Sequence, residues 1–554
     1  MASLTAGGKY DTKVLNILVP ELGNTISKIW DTVYGHNTTK RLTTIDYKGV
    51  PPKADTADKT YNLNTIAGCV NAAQDIIGLL VEGKPALDGL SDKEKDIINA
   101  INSINTETGT YYVPVLPGLS EADLKVSLVR KDGYKGSKVV ENIQLERNKI
   151  YAAGQLDKTV TEWVYEVPDA AALLKWHSGH NLNWSNSVTE NYPDDNHKVL
   201  LTGDIDLHGE TWNYKHLRCE FDGNGHKIYN VVIERASNVH FFNILYADIH
   251  DVTFGSKDGQ SYDGESKIES TYTSGGTGNQ YIGLFLQTSP GKVEIKRVTS
   301  YIPIIVPATA SGRFRAAGLI CKGTANEVGD TTRIEGCKTY GKVSILHTTA
   351  AEGVSIVSGM VGVADLTENS TNRLEIVNCE NHADIEVLQP RVEAIGGVLG
   401  ERFGNADTKY LYLTMTGCKN YGNITHTNST GNDRCNIGGI VGKAVESSVV
   451  KDSEGNYYVK IENCENGKSG ATLASVTSNG KYYSLGGVAG RIYGVSMTGC
   501  KNYGSVSATD QVSHGASNMV GGISGLVAIA ENDIRRKTKI ILIHPSFRGK
   551  HILS

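Results

Sequence analysis

LTMTGCKNYGNITH, residues 413–426, decides the fold, because the chain repeats it with variation. RIEGCKTYGKVSI starts at Arg333, LEIVNCENHADIEV at Leu374, VKIENCENGKSG at Val459 and VSMTGCKNYGSVSA at Val495. A second phrase alternates with the first: SGMVGVA around Gly359, IGGVLGE at Ile395, IGGIVGK at Ile437, LGGVAGR at Leu485 and VGGISGL at Val520. Cys337, Cys379, Cys418, Cys464 and Cys500 lie 42, 39, 46 and 36 residues apart. Constant phrases at changing separations mean constant strands joined by loops of variable length. Degenerate copies reach upstream, with YIGLFLQ at Tyr281, AAGLICK at Ala316 and IKRVTSYIPI at Ile295, where Val298 takes the cysteine position.

Each phrase reads as a short period-two strand ended by Gly or by Asn-Tyr-Gly, which turns the chain sharply. One unit cannot bury its apolar face alone, whereas stacked units share a continuous core. Equivalent positions then lie about 4.8 Å apart, and the cysteines form an internal column beside the Ile and Val of the GG-φ-x-G phrase. Metal binding or redox chemistry is one reading of that column. Val298 in the same slot favours the other, a ladder of small buried hydrophobes. The paired glycines read as tight corners, since a phosphate cradle needs a strand-to-helix context that is missing here.

These phrases resemble the GLUG-type repeats of large surface proteins in gut Bacteroidetes and Firmicutes. VLLTGDIDLHGETW from Val199 and CEFDGNGHKIYNVVI from Cys219 are similar to the opening rungs of those proteins. VPDAAALLKWHSG from Val167 resembles the short helix that precedes them and caps the array. The resemblance spans residues 160–525 and implies an extracellular protein linked to adhesion, or an array appended to an IgA-type metallopeptidase. The chain contains no HExxH, so that peptidase activity is not expected in it. The fold expected is mainly β, a right-handed parallel β-helix (a solenoid) over residues 161–530. It follows a small β module and an N-terminal helical region.

In the N-terminal third, Leu15, Val19, Leu22, Ile26, Ile29 and Val33 alternate spacings of four and three, as do Leu63, Ile66, Val70, Ala73, Ile77 and Leu80. Ser91 with Glu94 forms a capping box ahead of Ile97, Ile101 and Ile104. Heptad spacing over residues 1–110 suits either a helical hairpin or an oligomeric attachment stalk. YKGVPPKADTADKT reads as a linker between the runs. Residues 111–160 alternate apolar and polar residues around a DGYKG turn, which predicts a small antiparallel module. After Asp533 the chain is basic, and residues 531–554 read either as an edge-strand cap or as unrelated sequence after a shortened array.

A formal net charge of −5 argues against nucleic-acid binding. No run approaches the roughly 20 apolar residues of a membrane span. The first residues lack a basic, then apolar, then small-residue export signal. Either export takes another route or the signal was left off. Nine cysteines without a CxxC leave the redox compartment unread.

The search for chemistry yields little. His177 and His180 could begin a metal site, but no Cys or Glu ligand motif accompanies them. Asp204 and Asp206 share a strand face and could pair for sugar hydrolysis or Ca²⁺, although the repeat pattern explains both. No catalytic residue, metal or cofactor is therefore expected. Surface remains: the variable loops Gly255–Gly278, Glu401–Lys409, Val445–Tyr458 and Ser507–Asn518 are polar, and Tyr262, Tyr272, Tyr410 and Tyr457 could stack on sugar rings. The expected role is non-catalytic adhesion to a glycan or protein at a cell surface. A phage fibre carried on a virion and a polysaccharide-degrading β-helix enzyme are the alternatives.

Overall fold

The computed structural model describes residues 44–47, 59–62, 124–130, 133–140, 160–179, 197–213, 215–274, 278–288, 292–323, 331–348, 354–365, 371–403, 410–427, 435–445, 452–471, 474–479, 483–508 and 519–528, with Ser27. The chain divides into two compact units, one formed by Ala2–Lys125 with Val139–Gly154, the other by Val126–Lys138 with Gln155–Ser554. In the first, Thr44–Tyr47 pairs antiparallel with Lys59–Asn62, so the two ends of the expected linker are strands. The heptad runs and the capping box lie outside the described residues, Ser27 apart, as does the basic tail.

The second unit is mainly β, with strands assembled into parallel sheets. Every repeat contributes to four of them in a fixed order. The strand before the cysteine enters a 12-stranded sheet, which ends Thr371–Val377, Tyr410–Thr416, Val459–Glu462, Val495–Thr498. The two residues after the cysteine join a 9-stranded sheet, such as Lys419–Asn420 beside Glu465–Asn466. The φ-x-φ triplet that follows joins an 8-stranded sheet, as Ile424–His426 does. The GG-φ-x-G phrase enters a 14-stranded sheet as two short strands, Val392–Gly396 and Leu399–Phe403 in one repeat. Equivalent residues sit side by side: Met415 pairs with Ile461, and Ile461 with Met497.

The sequence explains each corner. The residue before every cysteine slot takes a positive φ: Asp251, Arg297, Gly336, Asn378, Gly417, Asn463 and Gly499. Left-handed backbone suits Gly, Asn and Asp, which accounts for the alternation of Gly-Cys and Asn-Cys along the repeats. At the second corner the phrase's second paired glycine marks a close approach. A Cβ on Gly397 would meet the Gly439 carbonyl oxygen at 2.1 Å, and one on Gly439 would meet the Gly487 carbonyl oxygen at 2.2 Å. Any side chain there would push successive repeats apart.

The core is continuous. Cys337, Cys379, Cys418 and Cys464 are wholly buried in one column with Val252 and Val298. Burial raises the Cys379 thiol well above its ordinary range, so it is a neutral packing group. A second column runs through the repeats. Thr339, Asn381, Asn420, Asn466 and Asn502 hydrogen-bond in series, the amide nitrogens of Asn381 and Asn420 each donating to the next Asn Oδ1 at 2.7 Å.

At the N-terminal end the 12-stranded sheet runs through Leu124–Val129, Lys135–Val140 and Trp163–Val167 before reaching His197–Leu201. The strands that the sequence sets apart in a separate module thus hydrogen-bond into the repeat sheet. Lys135 pairs antiparallel with Val164, whereas Trp163 pairs parallel with His197. The helix expected ahead of the repeats spans Ala170–Gly179, with the Asp169 carboxylate accepting the Ala172 amide at 2.8 Å as its N-cap. Its Leu173 and Trp176 are buried. Among the described residues no helix is long and apolar enough to cross a membrane.

Candidate functional site

A cleft of about 510 Å³ opens beside the first repeat units. One wall is the segment that leaves Ile205–Asp206, turning at Gly209, where φ is +75°. Trp212 anchors it. Its indole stacks on Phe241 at 4.0 Å, the His177 ring lies at 4.0 Å and Phe242 edge-on at 6.0 Å, and its Nε1 donates to the Phe241 carbonyl at 2.7 Å. The opposite wall is the strand Val232–Arg235, which presents Val232, 46% exposed, with Glu234 and Arg235.

Polar groups ring this apolar patch. Arg235 donates to the Trp212 carbonyl at 3.0 Å and to Asn213 Oδ1 at 3.1 Å, fixing the guanidinium across the cleft. Glu234 pairs with Lys267, and His208 Nδ1 lies 2.7 Å from Glu265 Oε2. Glu210 adds another carboxylate to the lining. The lining thus sets one exposed apolar side chain, Val232, among carboxylates, an amide and a guanidinium.

The neighbouring loop is built by its own carboxylates. Asp258 accepts the amides of Gln260 and Ser261 and the hydroxyls of Ser256 and Ser261, which hold it well below the usual carboxylate range. Asp263 does the same with Glu265, Ser266 and the amide of Asn230. In the stretch expected to be a variable display loop, residues 256–266 are therefore an ordered pair of turns, followed by the strand Lys267–Ser270.

The residues singled out in the sequence fall as follows. His177 is buried in the core, its ring lowered to about 4, first by burial and then by Lys215; His180 is outside the described residues. Asp204 accepts from His226 at 3.0 Å and from Lys227 at 3.1 Å, and Asp206 accepts from Asn230 at 2.6 Å, so both carboxylates tie one repeat to the next. Tyr262 is 44% exposed, with its hydroxyl donating to the Ser266 carbonyl at 2.6 Å. Tyr272 packs against the core, Tyr457 is half-buried, and Tyr410 begins the strand Tyr410–Thr416. Glu401, placed in a loop by the sequence reading, is a strand residue and 3% exposed.

Sequence reasoning missed two aromatic groups. Tyr301, Tyr340, His382 and Tyr421 stack in one column at 4.6, 4.5 and 4.7 Å between ring centres. Their signal was a shared position directly after the Asn slot. Tyr412, with Tyr458 at 5.0 Å and the Arg373 guanidinium at 5.1 Å, forms another group.

Among the described residues, Glu220, Asp222 and His250 bring metal-type ligand atoms within 4.8 Å of one another. Lys198 already lies 2.8 Å from Asp222 and 3.2 Å from Glu220, balancing their charge, so the group works as an ion-pair network. No protein family, curated protein or solved structure matches the chain.

Proposed function

We propose that this chain is a non-catalytic binding protein whose stacked repeats form a right-handed parallel β-helix and whose cleft between Trp212 and Arg235 takes a glycan. The single observation carrying this reading is the cleft's composition, with exposed Val232 flanked by Glu210, Glu234, Asn213 and Arg235. Sugars are held by such pairings of an apolar patch with planar acceptors and donors. The carboxylates near the mouth are engaged by His208 and Lys267, which suits recognition better than proton transfer. Parallel pairing that carries each repeat into the same four sheets supports the β-helix. The GLUG-like phrases favour display at a cell surface.

A glycan array probed with the full chain, followed by mass analysis of any retained glycan, tests both halves. Retention of an intact glycan, lost in Arg235→Ala, is expected. Shortened products would replace binding with hydrolysis, and a blank array would remove the glycan.

A further inference from the structure

We propose that Arg313 and Arg315 bind an oxyanion, a carboxylate or sulfate group, on the outer face of the 14-stranded sheet. The cleft that takes a glycan is walled by a strand of the 8-stranded sheet, so this inference does not rest on that reading.

Alternation along the strand Arg313–Gly323 sets the direction of the two side chains. Phe314 and Ala316 are wholly buried in the core. Residues i and i+2 of a strand share a face, so Arg313 and Arg315 project together from the other side, about 6.8 Å apart along the strand. In the neighbouring strand Asn279–Thr288, Asn279 pairs with Arg313 and Tyr281 with Arg315. The Arg315 guanidinium lies 5.9 Å from the centre of the Tyr281 ring.

This pair lacks the counter-charge that other basic residues of the array have. Lys198, Lys227, Arg297 and Arg333 each lie no more than 3.1 Å from a carboxylate. Among the described residues, neither Arg313 nor Arg315 has such a partner. Arg315 is only 8% exposed, yet its Nε and Nη1 find no hydrogen-bond acceptor, and neither does Nε of half-buried Arg313. Glu401 is the carboxylate that feels the Arg315 charge, and Lys443 already holds it at 2.8 Å. Asn279 Oδ1 is buried without a partner as well, and turning that amide over presents its two N–H donors instead. Charged donors are rarely buried unless paired, because an N–H sealed from water without an acceptor is costly. An oxyanion supplies acceptor oxygens and the missing negative charge together, and the planar guanidinium matches carboxylate and sulfate oxygens.

The test is equilibrium dialysis of the full chain against labelled sulfate and, separately, labelled glucuronate, at constant ionic strength set by chloride. Saturable uptake with a Kd of about 1 mM or below is expected, with neutral glucose failing to compete. Uptake of both probes would mark a site for the oxyanion itself, and uptake of glucuronate alone a site for an acidic sugar. Arg315→Met and Arg313→Gln are each expected to weaken uptake about tenfold or more. Lys342→Gln, which removes an equal charge paired with Glu386 elsewhere, should leave it unchanged. In chloride alone the urea midpoint of Arg315→Met should hold or rise, because an unpaired buried charge is removed. If that variant fails to fold, Arg313→Gln carries the comparison. No saturable uptake of either probe, uptake undiminished in both arginine variants, or an equal loss in Lys342→Gln would overturn the proposal.

Discussion

The Asn420 side-chain nitrogen donates to Asn466 Oδ1 at 2.7 Å and to the Gly422 carbonyl at 2.9 Å, and no part of the residue is exposed. One amide thereby closes its own turn and fastens the next repeat. Asn420→Leu breaks both bonds and takes from the Asn381 amide one of its two acceptors, leaving it the Ala383 carbonyl alone. A loss of about 3 kcal/mol or more is expected in urea unfolding, because each buried polar group left without a partner costs about 1–3 kcal/mol. Asn420→Asp is expected to be no better, since it removes the donor and buries a charge. A midpoint within error of the parent would mean that the column is not a fastening.

The cysteine column is expected to behave as packing. Cys418 donates weakly to the Ile376 carbonyl at 3.2 Å, and Val298 fills the same slot without a donor. Cys418→Val should cost about 1 kcal/mol or less, as for other near-isosteric core exchanges. Native alkylation followed by peptide mapping should modify half-buried Cys500 and spare Cys379 and Cys418. Rapid labelling of Cys418 in the folded chain would contradict its burial.

How much could be read from the sequence depended on whether a residue's role recurs. The cysteine slots, the glycine corners and the helix ahead of the repeats recur or carry local signals, and each was visible as a pattern. The Asn column recurs too, yet Asn-Tyr-Gly also spells a turn, and that local meaning masked the cross-repeat bond. The cleft has no recurring signal. It joins His208, Arg235 and Glu265 from three separate segments, and Trp212 reads as an ordinary aromatic until Phe241 and His177 close around it. Tyr412, Arg373 and Tyr458 come together because parallel pairing sets their repeats side by side, and no local pattern marks them.

Lys443 supports a buried carboxylate. Its Nζ lies 2.8 Å from Glu401 Oε1 and also contacts Glu393. Burial raises the Glu401 carboxyl, opposed by the Lys443 charge. Lys443→Met removes the cation and leaves Glu401 to take up a proton or force the strand open. A loss of about 3–5 kcal/mol is expected from breaking such a pair. The double change Lys443→Met with Glu401→Gln should recover part of it. Equal stability of the single and double variants would show that the two side chains are not coupled.

His250 makes the network on the first sheet sensitive to pH. Its Nε2 lies 2.9 Å from Glu220 Oε1 and its Nδ1 2.9 Å from Asp251 Oδ2, and only a doubly protonated ring can donate to both. Burial works against the charged ring, but its hydrogen bonds to Glu220 and Asp251, with the charge of Asp222, outweigh that and raise its pKa. Lys198 and Arg297 hold the same carboxylates from either side. A raised folded-state pKa means the contribution is complete below the unfolded value of about 6.5. It is lost as pH rises through the folded value. His250→Gln should therefore lower the unfolding free energy at about pH 5.5 by up to about 1 kcal/mol, with the gap to the parent narrowing by about pH 9. A gap that widens with pH would mean that the folded chain favours the neutral ring, which donates to one carboxylate alone.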